Sequence, residues 1–458
     1  MKPVFYANIV NLMNKSITRQ EYNTFFQLAW PCAAEGFLME LLSSIDLAMV
    51  GTLGSKAQSA VGIVSQPKMM NLIFVRAIAV AITAVLARRY GEEKLMEMRS
   101  VLKQGLTIVF VLYAVILSVE IFSFKNIMLI SGAKEEYLAM SISYGRLIFI
   151  SLIFQVLSIM LMSALVAIGR TKIIFAANLA GNILNCLINY VFIFGRFSMP
   201  KLGVTGAGIG TLCGSMVTFI IITAEIQKKS SLLRLDSGNW IPRGYTFKAV
   251  AVVLTGTLPQ QIFERLGMYL YTIIVASLGS TALAVHHICM SLCDVFYSVA
   301  IGLGTATSSI TGQMMGKRQI DAAVRYAEIG QKLGIIVAVS GFAVFSVFNK
   351  LILGIFTHDA AVMELGSKIL IVVALVSFPQ TFSLVNSGVL KGAGDTRFVA
   401  AYSFIIIAVF RPILTYILIF VFDMGVFGAW AALFVDQSLR AIAASIRFHS
   451  MKWTELEL

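Results

Sequence analysis

The chain is 458 residues long, 58% hydrophobic and only 13% charged, with a formal net charge of +13. That balance excludes a soluble enzyme and describes a polytopic membrane protein. The basic surplus lacks the aromatic interleaving of a nucleic-acid surface, so no nucleic-acid partner is expected.

A hydrocarbon core about 30 Å thick takes roughly 20 mostly apolar residues per helical crossing. By that measure the sequence predicts twelve transmembrane helices, near 24–48, 58–86, 100–122, 138–164, 172–195, 206–226, 248–278, 283–311, 324–348, 364–390, 398–421 and 426–447. Residues 1–23 have too short an apolar run, and no small-residue cleavage site, for a cleaved signal peptide. Within them Val4 to Met13 reads as a short interfacial helix on the lipid bilayer. Basic residues crowd alternate loops, among them Arg88, Arg89, Lys94, Arg99 and Lys103, then Lys228, Lys229, Arg234 and Arg243, then Lys317, Arg318 and Arg325, then Lys391 and Arg397. This positive-inside pattern places both termini in the cytoplasm of a multi-pass plasma (inner) membrane protein.

Acids at membrane depth are costly and face a cavity or a partner, so each is a candidate functional residue. The first span holds Glu35, Glu40 and Asp46, the seventh Glu264 beside Arg265, the eighth Asp294 and the twelfth Asp436. Glu35 precedes Asp46 by about three turns, on the same helical face. Gln260 and Gln261 share the face of Glu264, whereas Arg265 is rotated by about 100° and is expected to reach Asp294, or another element of its lobe, as a buried pair that fixes packing. Arg76, Arg146 and Arg411 are further intramembrane cations for which carboxylate partners are expected before substrate roles. The five cysteines all fall in apolar spans and their odd number argues against a closed disulfide set. Cys289 and Cys293 lie near His286, but a soft-metal site needs three or four converging ligands, and the two read as small core residues.

The two halves repeat. Gly54 and Gly279, Gly91 and Gly316, Gly105 and Gly330, and Gly169 and Gly394 are related by one offset of 225 residues, and "GVTGA" from Gly203 returns as "GVFGA" from Gly425 at an offset of 222. Six spans per copy is an even number, so the copies are parallel and related by an axis along the membrane normal, the arrangement associated with alternating access between two bundles. The expected organisation is residues 1–23 as a cytoplasmic or interfacial N-terminus, 24–226 as an N-lobe, 227–247 as a cytoplasmic inter-lobe loop, 248–447 as a C-lobe and 448–458 as a cytoplasmic tail: an all-α fold of two pseudo-symmetric six-helix bundles.

"SSIDLAMVGTLG" (43–54), "GSTALAVHHI" (279–288), "VLKGAGDTRF" (389–398) and "NCLINYVFIFG" (185–195) followed by "GVTGAG" together resemble the multidrug and toxic compound extrusion (MATE) family, in its NorM/DinF-like bacterial form, over roughly residues 24–447. The resemblance implies a monomeric antiporter that expels bulky, often cationic, small organic molecules against Na⁺ or H⁺ and needs no cofactor. It places Asp46 at the family's first-helix aspartate, within a D-x-x-M-V-G pattern running to Gly51, with Asn185 and Asn189 at the polar fifth-helix positions; Asn189 stands where some relatives carry an aspartate. A lone carboxyl among amides is still equipped to take up and release a proton, since burial favours the neutral acid. The other reading of Asp46 is an interfacial residue near the helix end. Glu264 stands where the NorM branch has its seventh-helix glutamate, a cation ligand in those relatives, but their tenth-helix aspartate is matched here by Gln380. A hard cation wants several oxygens, so this exchange weakens the case for Na⁺ at Glu264 and favours a proton. His286 matches a histidine common after "GSTALA" and reads either as a hydrogen-bonded core residue or as a titrating group.

Two motifs have structural explanations. "KGAGDTR" reads as a helix stop at Gly392 or Gly394 with Asp395 as the next N-cap, and Gly206, Gly210 and Gly214 form a small-residue stripe for close helix packing. No G-x-S-x-G, H-E-x-x-H or P-loop pattern is present, which excludes the common hydrolase and ATP-driven classes. On the same fold, a flippase for a lipid-linked oligosaccharide or a dedicated natural-product exporter is the alternative.

Overall fold

Where no water can satisfy backbone N–H and C=O groups, a long apolar segment must satisfy them internally, which selects the helix. The computed structural model describes residues 17–456 except 237, 239, 242, 243, 357 and 358, so the expected helix at Val4 to Met13 lies outside the described residues. The first half forms α1 (Arg19–Gly51), α2 (Ser55–Gly91), α3 (Leu95–Ile130), α4 (Glu135–Ala167), α5 (Thr171–Phe194) and α6 (Val204–Gln227). The second forms α7 (Gly244–Ala276), α8 (Ser280–Gly316), α9 (Ile320–Val347), a short α10 (Asn349–Phe356), α11 (Ala360–Ala393), α12 (Thr396–Val421) and α13 (Gly425–His449). Twelve of these are long helices, six per half. Among the described residues, nine are long and apolar enough to cross a membrane by length and composition; the other three, α1, α7 and α13, hold Asp46, Glu264 and Asp436.

The repeat reappears in the turns. Gly54 and Gly279 have φ of 96° and 97°, and Gly169 and Gly394 have φ of 78° and 92°, left-handed conformations that glycine alone adopts freely. Helix α11 ends at Ala393 and Asp395 takes the N-cap position of α12, as the sequence suggests, but its carboxylate makes no cap hydrogen bond. It instead accepts a bond from Arg447 Nε at 2.6 Å.

The chain packs as two compact units. One comprises the described part of Met1–Gly36, with Ala87–Glu92 and Val252–Leu458; the other comprises Phe37–Leu86 and Glu93–Ala251. In the first, α11 packs against α8, α9 and α13, around a core that includes Phe25, Leu303, Val385 and Trp453. Two repeat-related glycines explain why the last turn of α2 belongs to it: a Cβ on Gly91 would lie 2.0 Å from the Gln313 carbonyl oxygen, and one on Gly316 2.1 Å from that of Arg88. The C-terminal end is also anchored there. Trp453 is fully buried, donates from Nε1 to Phe448 O at 2.8 Å, and Arg88 Nη1 donates to Leu456 O at 2.8 Å.

In the second unit α5 and α4 pack on α6, and α3 on α4. The segment after α6 is tied back to α3, because Lys103 pairs with Asp236 and Arg99 Nε donates to Leu232 O at 2.8 Å. The Lys103 ammonium, then the Gly238 N–H, hold the Asp236 carboxyl below the usual carboxylate range.

Candidate functional site

Asp46 lies in the second half of α1, and Asn185 and Cys186 lie one turn before Asn189 on α5, so neighbouring residues of α5 meet one carboxylate. Asn189 Nδ2 donates to Asp46 Oδ1 at 2.9 Å and Cys186 Sγ approaches the same oxygen at 3.9 Å. Asn189 Nδ2 also reaches Asn185 Oδ1 at 3.3 Å, and Asn185 Nδ2 donates to Thr211 Oγ1 of α6 at 3.4 Å. Both asparagines are buried, while Asp46 is half-buried. The glycine stripe of α6 makes room for them: a Cβ on Gly210 would stand 2.0 Å from Asn189 Oδ1, and one on Gly214 3.0 Å from Asn185 Cβ. The packing role read from the sequence therefore serves the site directly. Lys68 of α2 and Tyr144 of α4 lie within electrostatic reach of Asp46.

In the other unit Gln260 Nε2 donates to Glu264 Oε1 at 2.8 Å, as the shared helical face predicts. Glu264 and Gln261 are half-buried and Gln260 is buried. Gln380 is buried too, but its neighbour is the Cys293 thiol at 4.0 Å, and it makes no hydrogen bond to Glu264. The charges that Glu264 does meet are basic and phenolic: Lys391, Arg440, Tyr297 and Tyr402 all interact electrostatically with it. Lys391, read from the sequence as a loop cation, is half-buried in the last turn of α11. Arg265, which the sequence reads as one partner of a buried pair with Asp294 or another element of its lobe, is exposed, and Asp294 is half-buried. Glu35 is half-buried on the portion of α1 that belongs to this unit, so the division of the chain falls between it and Asp46.

His286 is buried within an aromatic cluster, 5.2 Å from the Tyr271 ring and 5.8 Å from Trp430. Its Nδ1 makes no hydrogen bond, so these ring contacts, rather than a hydrogen bond at that atom, surround the histidine.

The buried ion cluster of this unit was only half legible. Arg411 finds the carboxylate partner it was expected to need in Asp436, which also takes Arg440 Nη2 at 3.0 Å. Asp436 is fully buried, and Arg411 and Arg440 are 2% and 7% exposed. Arg411 is presented by an irregular stretch of α12 whose backbone widens into π-helical turns over Ser403–Phe410 and Ile417–Val421. Such turns concentrate at functional sites, and here Gly267 of α7 fits against them, its missing Cβ only 2.2 Å from the Ile407 carbonyl oxygen. Arg440 escaped notice although its four-residue spacing from Asp436 signals an ion pair on one helix face. Glu120 escaped too; it is buried in α3 and accepts a hydrogen bond from Asn71 Nδ2 of α2 at 2.7 Å.

A family model described as MatE matches residues 31–191 and again 258–417, one copy in each half. The chain belongs to the MatE family. Members of the MatE family are multi-pass membrane transporters, not enzymes. Among the relatives, the chain is similar to a probable multidrug resistance protein NorM of Thermotoga maritima, at 25% identity over 98% of this chain and 96% of that one. It is likewise similar to the multidrug resistance protein MdtK of Photorhabdus laumondii, at 24% identity over 95% and 96% of the two chains. An outward-facing structure of a multidrug resistance MATE transporter superposes with a TM-score of 0.88 at 19% identity, covering 94% of this chain and 97% of the other. The two-lobe, twelve-helix fold read from the internal repeat is thus the fold of the MatE family.

Proposed function

We propose that this MatE protein is a secondary active multidrug efflux antiporter that exports bulky, often cationic, organic compounds in exchange for inward-moving protons, with its two six-helix repeats alternating access to the substrate. The multidrug resistance names of relatives that align end to end support the export role and do not favour the flippase alternative. The observation that carries the coupling mechanism is the Asn189–Asp46 hydrogen bond of 2.9 Å, with the Cys186 thiol at the same oxygen. A sodium ion needs lone pairs converging on it; Asp46 Oδ1 instead receives donors, a cradle suited to a carboxyl that alternately holds and releases a proton. Glu264 faces Lys391 and Arg440, and Gln380, an amide, stands where the resemblance puts the second carboxylate of a cation cage. Coupling then proceeds by Asp46 taking a proton from the outer side, which loosens its hold on Asn189 and rearranges the α1–α5 contact that shapes the substrate path. On this reading the protein works as a monomer without cofactor or nucleic-acid partner, in the plasma membrane with both termini cytoplasmic.

The test is dye efflux from proteoliposomes under an imposed proton gradient, and separately under an inward sodium gradient with pH clamped. Wild type should respond to the first and not the second, Asp46→Asn should abolish the response, and Glu264→Gln should retain a part of it. Full activity in Asp46→Asn, or efflux driven by sodium alone, would overturn the assignment.

A further inference from the structure

We propose that Glu120 and Asn71 form a second proton-binding site, separate from Asp46 and built entirely within the unit that contains α3. Glu120 is 7% exposed and Asn71 8%. Asn71 Nδ2 donates to Glu120 Oε1 at 2.7 Å, while Oε2 is buried and makes no hydrogen bond. No ion pair reaches Glu120 among the described residues. The groups facing it are neutral: Asn71 of α2; Tyr113 of α3 itself, whose hydroxyl donates to Phe149 O of α4 at 2.8 Å; and the Phe124–Phe149 pair one turn on, edge to face at 5.3 Å. Phe124 is seated by Gly145, whose missing Cβ would lie 2.4 Å from its ring, so the wall on that side is aromatic and tight.

An ionised carboxylate in this position would have a single amide donor for two oxygens and no counter-charge, a far costlier state than the neutral acid. The proton therefore sits on Oε2, and Asn71 holds the carbonyl oxygen. Asn71 follows Lys68 by three residues on α2, so the two share a helix face, and Lys68 lies within electrostatic reach of Asp46. Helix α2 thus bears a residue of each site, and a change of charge at Asp46 acts on the element that holds Glu120. Proton binding at Glu120 stands without the transport reading; its exchange during turnover rests on that reading.

Two measurements test this separately. Infrared pH titration of the purified full chain in lipid should show a protonated-carboxyl band that disappears in Glu120→Gln and persists in Asp46→Asn. Should Glu120→Gln fail to fold, Glu120→Asp serves, because the same band should then move in frequency. Absence of a Glu120-dependent band overturns the site, whether or not any variant transports. Where the wild type transports, Glu120→Gln should displace the pH profile of efflux; a superimposable profile overturns proton exchange. Sodium-dependent thermal stabilisation that is lost in Glu120→Gln would make the ligand a metal ion and overturn the proposal as well.

Discussion

Replacing Asp436 by Asn strands two guanidinium groups inside the unit that contains α13. Asp436 is fully buried and its Oδ2 serves both Arg411 and Arg440, themselves 2% and 7% exposed. Removing one partner of a buried ion pair costs about 3–5 kcal/mol, because the remaining charge is left uncompensated. The two pairs share one carboxylate, so their losses do not add and one such figure applies to the substitution. A unit of about 250 residues shifts by about 2–4 °C per kcal/mol, which puts the midpoint of Asp436→Asn roughly 6–20 °C below wild type. The cluster is also incompletely satisfied, since Asp436 Oδ1 and the Nε atoms of both arginines have no hydrogen-bond partner. A triple replacement, Arg411→Met with Asp436→Leu and Arg440→Met, should therefore recover most of the loss, as apolar substitutes for buried ion triads can. Thermal unfolding of the purified chain in detergent, followed by tryptophan fluorescence, measures both. An Asp436→Asn midpoint within about 2–4 °C of wild type, the equivalent of about 1 kcal/mol, would show that these charges are hydrated or paired otherwise and would refute the reasoning.

Two further outcomes follow from single contacts. Gly210→Ala places a methyl group 2.0 Å from Asn189 Oδ1, forcing Asn189 off Asp46; losing a hydrogen bond to a charged group is worth about 1.5–3 kcal/mol, so proton-driven efflux should fall roughly tenfold to a hundredfold, and efflux equal to wild type would show that the Asn189–Asp46 bond is dispensable. Glu21 pairs with Arg325 at 2.7 Å; although burial pushes its carboxyl up, hydrogen bonds from the Thr18 N–H and from Arg325 hold it below its ordinary value of 4.5. The stability it contributes is complete above that value and is lost as the pH falls through the lower folded one, so Glu21→Gln should lower the unfolding midpoint at neutral pH and flatten its fall on acidification; parallel acid limbs for the two proteins would argue against the pair.

The sequence by itself determined the twelve spans, the parallel repeat and the acids worth examining, because these rest on local quantities: the length of an apolar run, a constant offset between glycines, the cost of a charge in hydrocarbon. It also placed Gln260 beside Glu264 and Asn185 in register with Asn189, since i, i+4 neighbours on a helix are fixed by its pitch. What only the tertiary structure decided is which carboxylate meets which partner. Asp46 and Asn189 are 143 residues apart, and Arg411 and Asp436 are 25 apart; such pairs depend on how helices pack and rotate, which no local periodicity encodes. The same holds for the π-helical turns that present Arg411, for the half-buried Lys391 at the end of α11, and for Glu120, whose lack of an ion pair among the described residues is a property of how α2 and α4 pack on α3 rather than of its own helix.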